Sequence, residues 1–587
     1  MTGRRPVRVA NCSGFYGDKI DAAREMLAGP IDVLTGDYLA ELTMLILWKA
    51  RLKDAGLGYA RTFLRQMEDV LGTCLERGVK VVTNAGGLNP AGLAGQLAEL
   101  AGKLGLTARV AHITGDDLTG RIPDLQRRGT GLANLDTGQP LAEAGLPVVT
   151  ANAYLGGWGI AAALQAGADV VVCPRVTDAS LTAGPAAWWH GWARDDWDAL
   201  AGAVLAGHVI ECGPQATGGN YSFLDEITDR RYPGFPIAEI AADGSCVITK
   251  HDGTGGLVST GTVTAQILYE IAGPGYLNPD VVAHFDTARL RQEGPDRVAI
   301  SGTRGSPPPD TLKVALNMLG GYRNSMTLVI TGLDIEQKAE HTLQLLAARL
   351  GAGYLDEADV RLLRFDRPDA PVNEQATAHL RITVFSRDEA AVGRRFSDAA
   401  VELALAGYAG FHATTPPTGA SAYGIYWPAL VPAAEVTQTV HLPDGTAQVI
   451  PHTPGVPQEP PPSPPETLAG PPAGELVAVP LGRLCGARSG DKGGNANVGF
   501  WARDERGYAW LRDHLTVGRF KELLTEAKDL DVSRFLLPNV LAVNFVVSGL
   551  IAPGVAATAR PDAQAKGLGE YLRSRVVEVP AGLLRPH

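Results

Sequence analysis

The chain holds six cysteines, at positions 12, 74, 173, 212, 246 and 485, and no two of them form a Cys-x-x-Cys pair. Neither a disulfide framework nor a cysteine-built zinc site follows from that spacing, so buried thiols are expected. Long hydrophobic runs are also missing: "MLILW", residues 44–48, falls far short of the ~20 apolar residues that span a bilayer. An excess of positive charge is absent as well. The formal net charge of -11 argues against general affinity for nucleic acid or anionic lipid and favours small-molecule chemistry. The first residues, "MTGRRPVRVANC", carry arginines but no apolar h-region, and a cytoplasmic protein is expected. No G-K-[ST] follows any glycine loop, no G-x-S-x-G elbow occurs, and there is no H-E-x-x-H.

What is present is the balance of a folded chain, 45% hydrophobic and 20% charged over 587 residues, which is too long for a single core. The clearest boundary is "TPGVPQEPPPSPPETLAGPPAGE", residues 453–475, whose proline density reads as an extended, solvated linker. It separates a main region, residues 1–452, from a C-terminal domain, residues 476–587. Up to about residue 300, β-branched runs such as "VKVVTNA", "ARVAHIT", "LPVVTANAY" and "ADVVVCP" alternate with alanine-rich helices. That alternation predicts an α/β fold with a mainly parallel sheet covered by helices, and ligands at the carboxyl ends of its strands. Residues 239–270 turn β-rich around an Asp-Gly pair and read as a hairpin insertion. From about residue 301 to 452 the order βαββαβ predicts a ferredoxin-like α+β unit.

Candidate site residues cluster in glycine-rich strand-end loops. In "VVTNAGGLNPAGLAGQ", Asn84, Gly86, Gly87 and Asn89 would offer backbone amides at a helix start. The stretch "VVTANAYLGGWGIAAALQAGADVVVCPRVTDAS" repeats the device with Asn152, Tyr154, Gly156 and Gly157. Gly157, Gly159 and Ala162 satisfy G-x-G-x-x-A, but Asp178 lies beyond the strand end, where a ribose-binding carboxylate should sit, so a nicotinamide dehydrogenase is a lesser alternative. Arg175 suits a carboxylate or phosphate and Asp178 a base, against the plainer reading of an Arg175–Asp178 bridge holding the loop. His208 and Glu211 stand at i, i+3, a metal-site spacing on a helix, but "HVIECGP" ends in Gly-Pro and no second motif completes a ligand set. His208 is therefore read as an acid or base and no metal is assigned. Thr217, Gly218, Gly219 and Asn220 form a polar loop after it.

The densest cluster is "LCGARSGDKGGNANVGFW", residues 484–501. Its glycines permit close backbone approach, Arg488 and Lys492 add charge, and Ser489, Asp491, Asn495 and Asn497 add directional hydrogen bonds. It reads as a polar lid or docking loop that completes a site on the larger region.

These residues, with "RVANCSGFYGDKIDAAREML", "VLTGDYLAELTM", "TNAGGLNP", "CPRVTDASLTAGP" and "GARSGDKGGNANVG", resemble the acyclic terpene utilisation family called AtuA. The resemblance implies an AtuA region to about residue 450 and an AtuA-like ferredoxin-fold domain after the linker. It also implies bacterial catabolism of citronellol- and geraniol-type acids through branched acyl-CoA thioesters. Glycine loops and cations suit the phosphates of CoA as substrate carrier, and backbone amides suit a thioester oxyanion. The expectation is an enzyme of hydratase, dehydratase or lyase type, with Asp178 or His208 as acid/base and Arg175 as anchor. A non-catalytic scaffold of the same pathway is the rival. A homo-oligomer is expected, since a proline tether lets the small domain pack on a neighbouring subunit.

Overall fold

The structure is a computed structural model that describes residues 4–414, 416–459 and 474–584. It divides into two compact units: residues up to 317, 426–555 and from 562 on, and residues 318–425 with 556–561.

The first unit is built on an eleven-stranded sheet. Its centre is parallel, in the order Val7–Asn11, Val33–Gly36, Lys80–Thr83, Val170–Val172 and Val110–Thr114. The strands are almost wholly apolar because helices cover them. Helix Arg61–Arg77 buries Phe63, Met67, Val70, Leu71 and Cys74 along one stripe, and Gly78 ends it at φ 68°. Helix Pro90–Lys103 starts where Asn89 accepts from the Gly92 amide at 2.9 Å.

The expectation of a mainly parallel sheet is corrected by the flanks. Pro236–Ile240, Cys246–Lys250, Arg297–Ser301 and Arg289–Gly294 extend one side antiparallel, and Gln438–His441 with Ala447–Ile450 extend the other. The reason lies in the connections. The Asp243–Gly244 turn is too short for the crossover that parallel strands require, so Cys246–Lys250 must run back, and this hairpin widens the main sheet. Val148–Ala153, read as another parallel strand, leaves this sheet and pairs with the strand that begins at Thr311.

Within the same unit, the C-terminal segment forms an antiparallel sheet in the order Cys485–Lys492, Asn495–Ala502, Ala542–Val547, Val532–Leu537. Phe500, Phe520, Phe545 and Leu511 fill its core. The polar stretch expected to be a loop is therefore a hairpin. Its glycines give it a flat face: a Cβ on Gly490 would lie 2.5 Å from the Tyr269 ring, and one on Gly499 2.8 Å from Leu268 Cβ. Only glycine permits that approach to the end of helix Thr260–Ile267.

The second unit has its own core under helices Ile335–Leu350 and Arg394–Ala406. Its strands lie in the order Asp359–Arg364, Thr377–Ser386, Tyr322–Thr331, His412–Ala413, antiparallel throughout, which is the split βαβ arrangement. Of the proline-rich stretch, residues 460–473 lie outside the described residues. Its first part is largely exposed but tied at one point, the Val456 amide donating to Pro308 O at 2.9 Å.

Gly499→Ala is expected to destabilise the chain by about 1–3 kcal/mol, because neither Leu268 nor the strand can yield without opening the face. Gly95→Ala, on an exposed turn of helix Pro90–Lys103 with nothing within 4 Å, should instead gain up to about 1 kcal/mol. Urea denaturation of the two variants beside the parent checks both signs.

Candidate functional site

The carboxyl ends of the central strands deliver polar residues to one place. Asp37 follows Val33–Gly36, Asn84 follows Lys80–Thr83, Asp116 follows Val110–Thr114 and Arg175 follows Val170–Val172. Each is buried. Asn84 Nδ2 donates to Asp37 Oδ1 at 2.7 Å, and its Oδ1 accepts from the Tyr38 amide at 2.8 Å, which fixes the carboxylate. Asn152 Nδ2 donates to Asp116 Oδ2 at 2.7 Å. Arg175, only 4% exposed, bridges Asp178 at 2.7 Å, donates to Leu39 O at 3.0 Å and lies 4.1 Å over the Tyr154 ring. The bridge read from the sequence thus exists, and it lies inside this cluster.

His208 sits in helix Trp197–Ile210, which stops two residues short of the Gly213–Pro214 pair, so the helix doubted from sequence does form. Its Nδ1 lies 3.5 Å from Glu211 Oε1. That contact is not an ion pair. Burial, followed by Lys492, holds His208 down to about 4, so the imidazole is neutral at neutral pH, while burial and Asp178 push Glu211 well above the usual carboxyl range. Tyr276 packs on the imidazole at 5.0 Å between ring centroids.

Two further groups come from elements that carry no motif. Lys313 Nζ lies 3.5 Å from Glu41 Oε1 and 5.1 Å over Tyr154; burial works against its charge, but Tyr154 and Glu41 outweigh burial and hold its pKa up. Glu270, three residues beyond helix Thr260–Ile267, has φ 55°, a conformation that costs a non-glycine residue about 1–2 kcal/mol. Burial raises its carboxyl to about 7 against the pull of Lys492.

The C-terminal hairpin closes the cluster. Lys492 Nζ donates to Glu270 O at 2.8 Å, and burial lowers its pKa. Burial and Glu270 raise Asp491 to about 8. The hairpin turn is pinned by Asp136, which accepts from Gly494 N at 2.8 Å and Asn495 Nδ2 at 2.7 Å. Asn497 accepts from the Glu270 amide. Ser489 and Arg488 lie further back. Ser489 accepts from Gly569 N, and Arg488 donates to Gln215 and to Asn220 O while stacking 4.4 Å over Tyr269. Thr217 donates to Gly234 O at 2.6 Å, and Gly218 and Gly219 turn the chain beneath Leu257 and Pro214.

The remaining glycine loops are used by the fold. The Gly87 amide donates to Asn84 O and a Cβ on Gly86 would meet Cys173 O at 2.5 Å. Gly157 N donates to Asp280 Oδ2 at 2.5 Å and a Cβ on Gly156 would strike the same carboxylate, so this turn presents an anion where a dinucleotide pyrophosphate would have to lie. All six cysteines are free, and burial pushes the thiols up, Cys74 to about 12, which leaves no thiolate nucleophile at neutral pH. Among the described residues no group of three or more His, Cys, Asp or Glu side chains is placed to hold a metal ion. Several buried atoms of the cluster lack a hydrogen-bond partner among the described residues: both nitrogens of His208, Glu211 Oε2, Asn152 Oδ1 and Asp491 Oδ1. Such atoms mark the place of a ligand or water.

The sequence profile of the acyclic terpene utilisation family protein AtuA matches residues 7–442, and that of the AtuA ferredoxin-like domain matches residues 479–578. A stretch of 129 residues is 28% identical to the divalent metal cation transporter MntH of Mycobacterium bovis, covering 21% of this chain and 18% of that protein. Among the described residues no helix is long and apolar enough to cross a membrane. No solved structure matches the chain. With both profiles falling on the parts that together build the cluster, the chain belongs to the acyclic terpene utilisation (AtuA) family.

Proposed function

We propose that the protein is an enzyme acting on a branched or terpenoid-type acyl-CoA thioester, or a related organic acid, by acid/base chemistry of the hydratase, dehydratase or lyase kind. The family's name supports a catabolic role in acyclic terpene utilisation. The observation that carries the chemistry is the meeting of Arg175, Lys313 and Lys492 with carboxyls poised near neutral pH, at strand ends, around unpartnered polar atoms. Arg175 would anchor a substrate carboxylate and the lysines would stabilise negative charge on a carbonyl oxygen. Asp178 would exchange protons, and His208, neutral at neutral pH, would hydrogen-bond the substrate.

A thermal-shift and turnover screen with acyl-CoAs, free CoA and the matching free acids tests this reading. A true substrate should raise Tm, and Asp178→Asn or Lys492→Met should then lower kcat by about 10²-fold or more. If no compound stabilises the chain, a scaffold role replaces the enzyme.

The acids also give a signature in stability. Asp116 and Glu270 at about 7 and Asp491 at about 8 keep protons in the folded chain that the unfolded chain releases near its ordinary carboxyl values of 3.8 and 4.5. The folded state binds more protons over that window, so its stability falls as pH rises from about 4 to 8. Glu270→Gln, neutral at every pH, is expected to raise Tm at pH 8 by more than it does at pH 5, as differential scanning fluorimetry at the two pH values would show.

A further inference from the structure

Glu270 occupies a left-handed backbone position that glycine would take without steric conflict, yet it carries a carboxyl that is only partly exposed. Three side chains of the C-terminal domain hold it there. Asn497 Oδ1 accepts from its N–H at 2.8 Å, Lys492 Nζ donates to its C=O at 2.8 Å, and Lys566 Nζ lies 3.7 Å from its Oε1. Asn497 is itself fixed. Its Nδ2 donates to Asn544 Oδ1 at 2.5 Å, and Asn544 Nδ2 donates to Ala272 O at 3.0 Å, two residues beyond Glu270. Both asparagines are 0% exposed. The peptides before and after Glu270 are therefore clamped by side chains more than two hundred residues away in the sequence.

A clamp on both peptides of a strained residue serves the side chain between them. The same fold with glycine at 270 would end the helix more cheaply and bring no acid into the cluster. We propose that Glu270 is a second proton-transfer residue beside Asp178, one that takes a proton from the substrate or a bound water and returns it, and that Asn497 is the positioning residue that holds it in place. This rests on the acid/base reading above. The proton leaves a substrate C–H or a bound water for the Glu270 carboxylate, the bonding pair stays on the substrate or on the water oxygen, and the neutral acid gives the proton back later in the cycle. Nothing else is consumed.

The groups that face Glu270 come from every element around it. The hairpin supplies Lys492, Asp491 and Arg488, and the segment before helix Leu568–Ser574 supplies Lys566. The main region supplies Asp178, Glu41, His208 and, with Cys212 beside it, Glu211. With His208 neutral, four carboxyls face three cations, so a proton shared at this position is favoured by the surroundings.

The test uses the full chain. Infrared difference spectra between about pH 5 and 9 show neutral carboxyl groups as C=O bands that vanish on ionisation. One component is expected to titrate at about 7, to be missing in Glu270→Gln, and to move down by about one pH unit in Asn497→Ala. On any acyl thioester that the parent turns over, Glu270→Gln should lose about 10²-fold in kcat and Glu270→Asp should recover part of it. Asn497→Ala should lower kcat with KM unchanged and shift the limb of the pH profile, which a merely structural residue would not do. Turnover or an unchanged infrared component in a folded Glu270→Gln would overturn the proposal. If no thioester is turned over while the component still follows Glu270 and Asn497, the substrate reading fails and the assignment of Glu270 stands.

Discussion

Lys492 is a partly buried ammonium, and such a group is tolerable only where oxygen atoms surround it. Its Nζ meets the carbonyl of Glu270 at 2.8 Å, and Glu270, Glu41 and Glu211 all lie close enough to favour its charge. That requirement fixes more than one side chain. The hairpin must lie flat enough to deliver the lysine, so Gly490 and Gly499 cannot carry a Cβ. The turn must not swing, so Asp136 ties it down. The end of the receiving helix must present a carbonyl, so Glu270 turns left-handed.

The rest of the cluster follows from the same partial desolvation. Desolvation and one another's charge disfavour ionisation of these carboxyls, and Asp37, Glu211, Glu270 and Asp491 all hold their protons more tightly than free acids do. The arrangement is worse for stability than an apolar core of equal volume, and a chain that keeps it has a use for it. The neutral His208 and the bridge between Arg175 and Asp178 are part of that compromise, since each removes or matches a charge that would otherwise stand alone.

The parallel centre of the sheet and its strand-end loops were readable, because continuous β-branched runs between helices have few other solutions. Arg175 and Asp178 were found because they follow such a run, and His208 because it stands at i, i+3 to Glu211. The flanking antiparallel strands were harder to place, since a short apolar run does not say which edge it will join. Glu270 and Lys313 carry no motif. In "ILYEIAG" and "TLKVALN" each is a single charge in an ordinary apolar setting, and only the tertiary contacts show that they meet. The hairpin misled for a physical reason: glycines that usually signal a flexible loop here thin a strand so that another element can approach.

One edge of the main sheet is completed late. Val110–Thr114 is flanked on one side by Gln438–His441, and Thr114 and His441 are 327 residues apart in the chain. At a synthesis rate of ~5–20 residues per second the ribosome needs roughly 15 to 65 seconds to make the partner strand. Until then a short row of backbone amides and carbonyls faces solvent, where a neighbouring nascent chain can pair with it. The order in which the chain is made therefore bears on how it must be protected while growing.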